Sequence, residues 1–292
     1  MRILLTGPVS LKFKEKLKTL GEVDYNEVDE TKLREIIGNY EVIVLRSRTR
    51  VAAETIKKAK KLKIIARYGK GLDNIDVKAA EKAGIKVINA PTASVSSVAE
   101  HTIMLMLAAM RQLPTAAMSI VRGRWDKDAI MGMELAGKTV GLLGYGKIGR
   151  ATAGRLRAFG CKIIFYDKEY YDYGRVELDE VFKQSDVVSI HLPLDKDTYH
   201  LVNDEKLSMM KDGSFLINTA RGAILDMAAL EKHANRLGGI GIDVFEEEPP
   251  RIKPFMMKTN MILTPHISAN TAEARRRVGE ELFDRLKEML GR

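Results

Sequence analysis

The chain has 292 residues, 45% of them hydrophobic and 30% charged, and carries a net charge of +9. That is enough chain for two domains of ordinary size, each with a real core. The longest apolar run, Ile103–Met110 between Glu100 and Arg111, falls well short of the roughly 18 residues a membrane helix needs.

Cys161 is the single cysteine, so an internal disulfide and a multi-cysteine metal site are excluded. It predicts a buried structural thiol, and no metal is expected. The opening "MRILLTG" is too short and too strand-like for a signal peptide, which makes the cytoplasm the expected compartment. The positive charge suits anionic small molecules. Yet the lysines lie beside glutamates, as in "EKLKTL", which describes a solvated surface. With no basic stripe or aromatic platform, a nucleic-acid partner is not expected, and neither is a membrane.

In chain order, "RILLT" predicts a strand, "SLKFKEKLKTLG" a helix and "YEVIVLR" a strand. Then come helix "AAETIKKAKKLK", strand "IIARYG", helix "DVKAAEKAG" and strand "IKVINA". Such alternation implies a parallel sheet with helices on both faces. The unit stops at "APTAS". Ser97 and Glu100 have capping-box spacing and open a long apolar helix, "SVAEHTIMLMLAAMRQLP", which Pro114 closes. This puts a domain boundary near Ser94.

A second series follows: strand "TVGLLG", helix "KIGRATAGRLRAFG", strand "KIIFYD", helix "VELDEVFKQS" and strand "DVVSIHLPL". It continues with helix "NDEKLSMMK", strand "GSFLINTA", helix "DMAALEKHANR" and the strands "GGIGIDVF" and "NMILTPH". The terminal amphipathic helix, "TAEARRRVGEELFDRLKEMLG", is expected to return to the first domain and cover its bare face. The fold class is therefore α/β, with two doubly wound parallel-sheet domains. Residues 1–93 with 264–292 form a discontinuous flavodoxin-like substrate domain, 94–263 an inserted Rossmann domain, and a cleft is expected between them.

Gly144, Gly146 and Gly149 make a G-x-G-x-x-G that follows a strand and opens a helix. That context is what a dinucleotide fingerprint requires. Gly144 makes the turn, Gly146 admits a pyrophosphate and Gly149 lets helix and strand pack. The first helical turn, Lys147, Ile148 and Gly149, would offer its N–H groups to the anion. Asp167 ends the next strand, 18 residues after Gly149. A carboxylate there accepts ribose hydroxyls and repels a 2′-phosphate, which favours NAD. Lys168 beside it leaves NADP open.

Three polar groups follow strands of the second series: Arg221, the run Glu246-Glu247-Glu248, and His266. Arginine can fork onto a carboxylate, histidine can exchange a hydroxyl proton as hydride moves, and a carboxylate can orient the imidazole. His191, in "SIHLPL", is a rival base, and any of the three glutamates could be the partner. His101, His200 and His233 lie on helices or in a loop and are expected to be structural or exposed.

Six ordered segments, "RYGKGLDNID", "GLLGYGKIG", "SIHLPLDKDTYHLVN", "LINTARGAILD", "GIDVFEEEPP" and "ILTPHIS", resemble the D-isomer-specific 2-hydroxyacid dehydrogenases over essentially the whole chain. The resemblance implies that Arg221 binds and polarises the substrate, that His266 is the acid/base, and that Glu248, the carboxylate just before proline, is its partner. It further implies that Asp243 contacts the nicotinamide amide and that His191, Pro193, Thr198 and Thr219 line the cofactor. Lys70 and Gly71 would receive the substrate carboxylate. The long helix around residues 97–113 would join a homodimer.

Within the family the resemblance is strongest to the D-3-phosphoglycerate branch, whose reaction opens serine biosynthesis. "VLRSRT" implies a substrate contact from Arg46, and Lys127 of a partner chain would help hold the phosphate. The chain ends just after the terminal helix, so regulatory domains are not expected. Departures are a shortened stretch between Asp167 and Ser185, Ser268 where glycine is common, and Lys70 where a small or apolar residue is usual. Lys70 either adds charge to the anion clamp or points to solvent while the backbone acts. It also keeps an oxyanion such as phosphite in view. Reduction of glyoxylate or hydroxypyruvate is the alternative activity. An NAD-sensing, corepressor-like binding protein is the alternative of another class.

Overall fold

The computed structural model describes residues 1–46, 48–258 and 260–291, so Ser47 of the "VLRSRT" segment lies outside the described residues. The chain folds as two units, one of Met1–Val95 with Asn270–Arg292 and the other of Ser96–Ala269. Thr264–Ala269 thus belong to the second unit, although they follow its last strand.

The first unit alternates β1 (Arg2–Leu5), α1 (Leu11–Lys18), β2 (Glu22–Tyr25), α2 (Glu30–Ile36), β3 (Val42–Leu45), α3 (Ala53–Ile56), β4 (Ile64–Arg67), α4 (Val77–Lys82) and β5 (Lys86–Ile88). Its five strands are parallel in the order β2-β1-β3-β4-β5. β3 reads "VIVL" and every residue is buried, as a strand covered on both faces must be. Ser10, Asp29 and Asp76 cap α1, α2 and α4 with side-chain oxygens, each cap being worth about 1 kcal/mol. α3 is shorter than its sequence predicts. Lysines 57, 58, 60, 61 and 63 repel one another with no acid inside the run, so the helix yields to turns after Ile56.

The second unit opens with α5 (Val95–Met110) and α6 (Leu113–Val121). α5 starts two residues before Ser97, which is buried inside it and does not cap it. Glu100 instead accepts from Ser96 Oγ at 2.9 Å and pairs with Arg155. Pro114 does not simply close the run. Gln112 turns the chain through a left-handed φ of 49°, and Pro114 stands in the first turn of α6. Among the described residues no single helix is long and apolar enough to cross a membrane.

Then follow β6 (Thr139–Leu143), α7 (Lys147–Ala158), β7 (Lys162–Tyr166), α8 (Leu178–Gln184), β8 (Val187–Ile190), α9 (Asp204–Ser208), β9 (Phe215–Asn218), α10 (Met227–His233), β10 (Gly239–Ile242) and β11 (Met261–Leu263). The sheet runs β7-β6-β8-β9-β10-β11, all parallel. A further edge contact survives as one parallel bridge between Phe165 and Arg175. With it the order becomes 3-2-1-4-5-6-7, the 3-2-1-4-5-6 of dinucleotide-binding sheets with one strand added at the far edge. The short stretch after Asp167 thus keeps the third strand only as a vestige.

α11 (Ala272–Met289) closes the chain on the first unit. Its Val278, Leu282 and Leu286 enter the same core as Phe13 and Leu17 of α1.

Candidate active site

Loops at the carboxyl ends of three neighbouring strands, β9, β10 and β11, carry Arg221, Glu248 and His266. His266 Nδ1 lies 2.8 Å from Glu248 Oε2 and 3.0 Å from Oε1. Its side chain is 43% exposed, which leaves the rest of the ring open to a ligand. This pairing singles out Glu248 from the three glutamates, since Glu246 instead meets Tyr199 and His200. It also separates His266 from His191, whose Nε2 lies 3.0 Å from Ser189 Oγ.

Arg221 follows β9 on a turn pinned by Asn218, which is fully buried. Asn218 Nδ2 donates to the Arg221 carbonyl at 3.0 Å, and its Oδ1 accepts the Ala220 N–H at 3.0 Å. Gly222 follows. A Cβ on it would sit 1.9 Å from the Phe245 carbonyl carbon. Only glycine therefore lets the Arg221 turn press against the loop that carries Glu248.

His266 has φ of 52°, a left-handed conformation uncommon for a residue with a side chain. Such a backbone persists only where its surroundings hold it. The holder is Asp243, which is 0% exposed. Its Oδ1 accepts from Thr264 Oγ1 at 2.6 Å and from the Ile267 N–H at 2.9 Å, and its Oδ2 from the Ser268 N–H at 2.9 Å. Its carbonyl accepts the His266 N–H at 2.8 Å. Burial alone would push the Asp243 carboxyl up, but hydrogen bonds from His101, Thr264, Ile267 and Ser268 outweigh it and hold the pKa at about 2.

Asp243, expected to contact the cofactor amide, lies buried with both carboxylate oxygens accepting hydrogen bonds from within the protein. Thr198 and Thr219 are likewise turned inward. Thr198 is buried and its hydroxyl donates to the Pro193 carbonyl at 2.7 Å, while the Thr219 hydroxyl meets that of Thr102 at 2.8 Å. Pro193 itself is exposed.

The glycine loop follows β6, at the point where the strand order reverses between β6 and β8. Gly144 has φ of 100°, and a Cβ there would meet the His191 backbone at 2.8 Å. A Cβ on Gly149 would meet the Gly144 carbonyl at 2.3 Å. At Gly146, which precedes α7 with no side-chain cap, a Cβ would find nothing within 4 Å. Open space at a helix N-terminus, beside the switch point, fits a pyrophosphate on the N–H groups of Lys147, Ile148 and Gly149. Asp167 stands just past β7. Its Oδ2 accepts the Tyr145 N–H at 2.6 Å and its Oδ1 the Glu169 N–H at 2.8 Å. A carboxylate so held has lone pairs left for ribose hydroxyls. The residues present therefore fit a dinucleotide. Lys168 is tied to Asp197 at 2.9 Å, and that partner raises its pKa.

In the first unit Arg46 follows β3, beside the loop after β1. That is the switch point of a β2-β1-β3-β4-β5 sheet. Arg46 Nη1 donates to the Pro8 carbonyl at 3.0 Å. Burial, Arg275 and Arg48 lower its pKa from the usual value. Lys70 is exposed and its carbonyl accepts from Asn89 at 2.6 Å, while Gly71 is half-buried beside it. Lys127 is exposed in the segment after α6.

Residues 103–268 match the family model for the D-isomer specific 2-hydroxyacid dehydrogenase NAD binding domain. The chain is 46% identical over 284 residues to a hydroxypyruvate reductase of Thermotoga maritima, spanning 92% of this chain and 91% of that protein. It is 41% identical over 301 residues to a D-3-phosphoglycerate dehydrogenase of Methanocaldococcus jannaschii, spanning 99% of this chain but 57% of that one. The chain thus covers little more than half the length of that relative. A solved structure of D-lactate dehydrogenase from Aquifex aeolicus, complexed with NAD and lactic acid, superposes with a TM-score of 0.90 at 31% identity over 100% of this chain and 96% of the other. The chain belongs to the D-isomer specific 2-hydroxyacid dehydrogenases, and its second unit holds their NAD binding domain.

Proposed function

We propose that the chain transfers hydride reversibly between a D-2-hydroxy acid and NAD, with His266 as acid/base, Glu248 as its partner and Arg221 as the substrate clamp. The observation that carries this reading is the 2.8 Å bond between His266 Nδ1 and Glu248. It occupies one ring nitrogen and leaves the other for the hydroxyl or carbonyl oxygen of a substrate. NAD, bound on the glycine loop with its ribose at Asp167, supplies the hydride acceptor. In oxidation His266 takes the hydroxyl proton; in reduction it returns it. Arg221 forks onto the carboxylate and polarises the C2 oxygen. The Lys168–Asp197 pair supports NAD over NADP, because a lysine already engaged by a carboxylate offers less to a 2′-phosphate.

For the substrate we propose D-3-phosphoglycerate, with Arg46, Lys70 and Gly71 among its binding residues. Arg46 supports it: it is half-buried at the switch point with Arg48 and Arg275 near, and among the described residues no carboxylate pairs with any of the three. Such a cluster suits a second anionic group. Hydroxypyruvate reduction is the second reading, favoured by the relative of matching length. A panel followed by NADH absorbance separates them. A kcat/KM on 3-phosphohydroxypyruvate about tenfold or more above that on hydroxypyruvate supports the first, and the reverse order the second. NADH binding with no turnover of any 2-keto acid would leave the binding-protein reading.

A homodimer is the proposed assembly. A groove of about 750 Å³ on α5 and α6 is lined by Ile103, Met104, Leu107, Ala108 and Leu113 with Phe159. Met104, Leu113 and Phe159 are each more than 40% exposed. A second copy would bury this face. Met104→Glu is expected to shift the molar mass measured by light scattering from dimer to monomer.

A further inference from the structure

One turn of α5 touches both loops on which the proposed chemistry depends. His101 and Thr102 are consecutive there, and neither was expected to serve the reaction. Thr102 is fully buried, and its hydroxyl donates to the Val98 carbonyl at 2.8 Å. That proton being committed, the 2.8 Å contact with Thr219 runs the other way: Thr219 donates to Thr102. Thr219 stands two residues before Arg221.

His101 reaches the other loop. Its Nε2 lies 3.1 Å from Thr264 Oγ1 and 3.5 Å from Asp243 Oδ1, and its side chain is 11% exposed. Thr264 spends its one hydroxyl proton on Asp243 at 2.6 Å. An ionised carboxylate accepts only, so His101 Nε2 must carry a hydrogen and donate. The network fixes the tautomer. Asp243 in turn receives the N–H groups of Ile267 and Ser268, and its carbonyl that of His266. The Thr264 carbonyl also accepts the His266 N–H at 3.0 Å, so His101 is two hydrogen bonds from the left-handed backbone of His266.

We propose that His101 is a positioning residue of the hydride-transfer reaction: it anchors Thr264 and Asp243 so that the turn after β11 presents His266 in register, while Thr102 anchors the Arg221 turn. The same helix turn sets the acid/base and the substrate clamp together. The neighbours Val98, Ile103 and Leu105 are buried and apolar. An aliphatic residue at 101 would suit the packing, so the imidazole is there for the polar link. The proposal rests on the assignment of His266 and Arg221 above.

The test compares His101→Leu with His101→Gln, which keeps an N–H donor. Each is assayed for kcat and KM with the best 2-keto acid, for NADH affinity by fluorescence and for melting temperature. His101→Leu is expected to lower kcat about ten- to a hundredfold, as a displaced catalytic group does. KM, NADH affinity and melting are expected to stay near those of the native chain, and His101→Gln to recover most of kcat. Thr264→Val should lose as much, and the His101→Leu/Thr264→Val pair little more than either alone. A kcat within about twofold of native, equal losses for Leu and Gln, or a loss seen only in NADH affinity or melting would overturn the proposal. If His101→Leu does not fold, Thr264→Val decides by the same criteria. His266→Ala runs alongside: if it stays active, the catalytic assignment has failed; if it is inactive while His101→Leu is normal, only the positioning role has.

Discussion

Replacing Glu248 by Gln keeps the side chain's shape and removes the charge facing His266 Nδ1 at 2.8 Å. With the partner neutral, the protonated ring formed during oxidation loses its stabilisation, and kcat is expected to fall about ten- to a hundredfold. His266→Ala should cost several hundredfold, within the roughly 10²–10⁴ of acid–base catalysis. Stopped-flow NADH formation checks both, and a native rate in either would remove that residue from the reaction. Asp243 gives a prediction of another kind. Its folded pKa of about 2 lies below its usual 3.8. The unfolded chain therefore takes up this proton first as pH falls. The carboxylate contributes about 2 kcal/mol above pH 4, lost between about pH 4 and pH 2. Asp243→Asn should unfold at lower urea than the native chain at pH 6, and the gap should narrow towards pH 2.5. A gap that does not change with pH would put the stabilisation elsewhere. At this scale the sequence was partly legible. The glycine loop, Arg221 and His266 announce themselves because each follows a strand. The inward turn of Asp243, Thr198 and Thr219 does not, because burial depends on partners far along the chain. His101 carries no local signal at all: its partner Thr264 lies 163 residues away.

Among the elements, the strands were the most legible, because parallel strands buried on both faces are short apolar runs that little else can use. Their order was not, since the sequence does not say that the strand near Arg175 shrinks to one bridge. Helix ends were misjudged where charge or capping competed. α3 stops at Ile56 under its lysines, and α5 begins before the Ser97 that seemed to cap it. The loops after β9 and β10 show what an element-level constraint costs when broken. A Cβ on Gly222 would overlap the Phe245 carbonyl carbon and lie 2.2 Å from the Glu246 nitrogen, and backbone cannot step aside as a flexible side chain can. Gly222→Ala is thus expected to destabilise the second unit by about 1–3 kcal/mol, as overpacking does. It should also push the Arg221 turn and the Glu248 loop apart. Loss of activity exceeding loss of NADH binding, measured on protein still folded at 25 °C, is the expected signature. An Ala variant with native melting and native kcat would show that the loops do not need this contact.

For the whole molecule, the chain's path matters more than its length. The first unit is made of two pieces, and the second lies wholly between them. Core residues of α11, Val278, Leu282 and Leu286, pack with Ile3, Phe13 and Leu17 from the other end of the chain. Burying side chains of this kind contributes about 1.5–3 kcal/mol each. Three together approach the 5–15 kcal/mol that holds an ordinary domain folded. The second unit draws its core clusters only from its own residues, and every glycine-loop residue and Asp167 lie within it. A chain ending at Ala269 should therefore lose the fold of the first unit and keep that of the second. Two measurements test this together. NADH titration by fluorescence should give an affinity close to that of the full chain. Amide hydrogen exchange should protect β6–β11 while β1–β5 exchange freely. Activity should vanish, since Arg46, Lys70 and Gly71 are no longer held. If the truncated protein instead loses NADH binding and protection throughout, the two units do not fold independently. If β1–β5 stay protected, α11 is a cover that this sheet does not need.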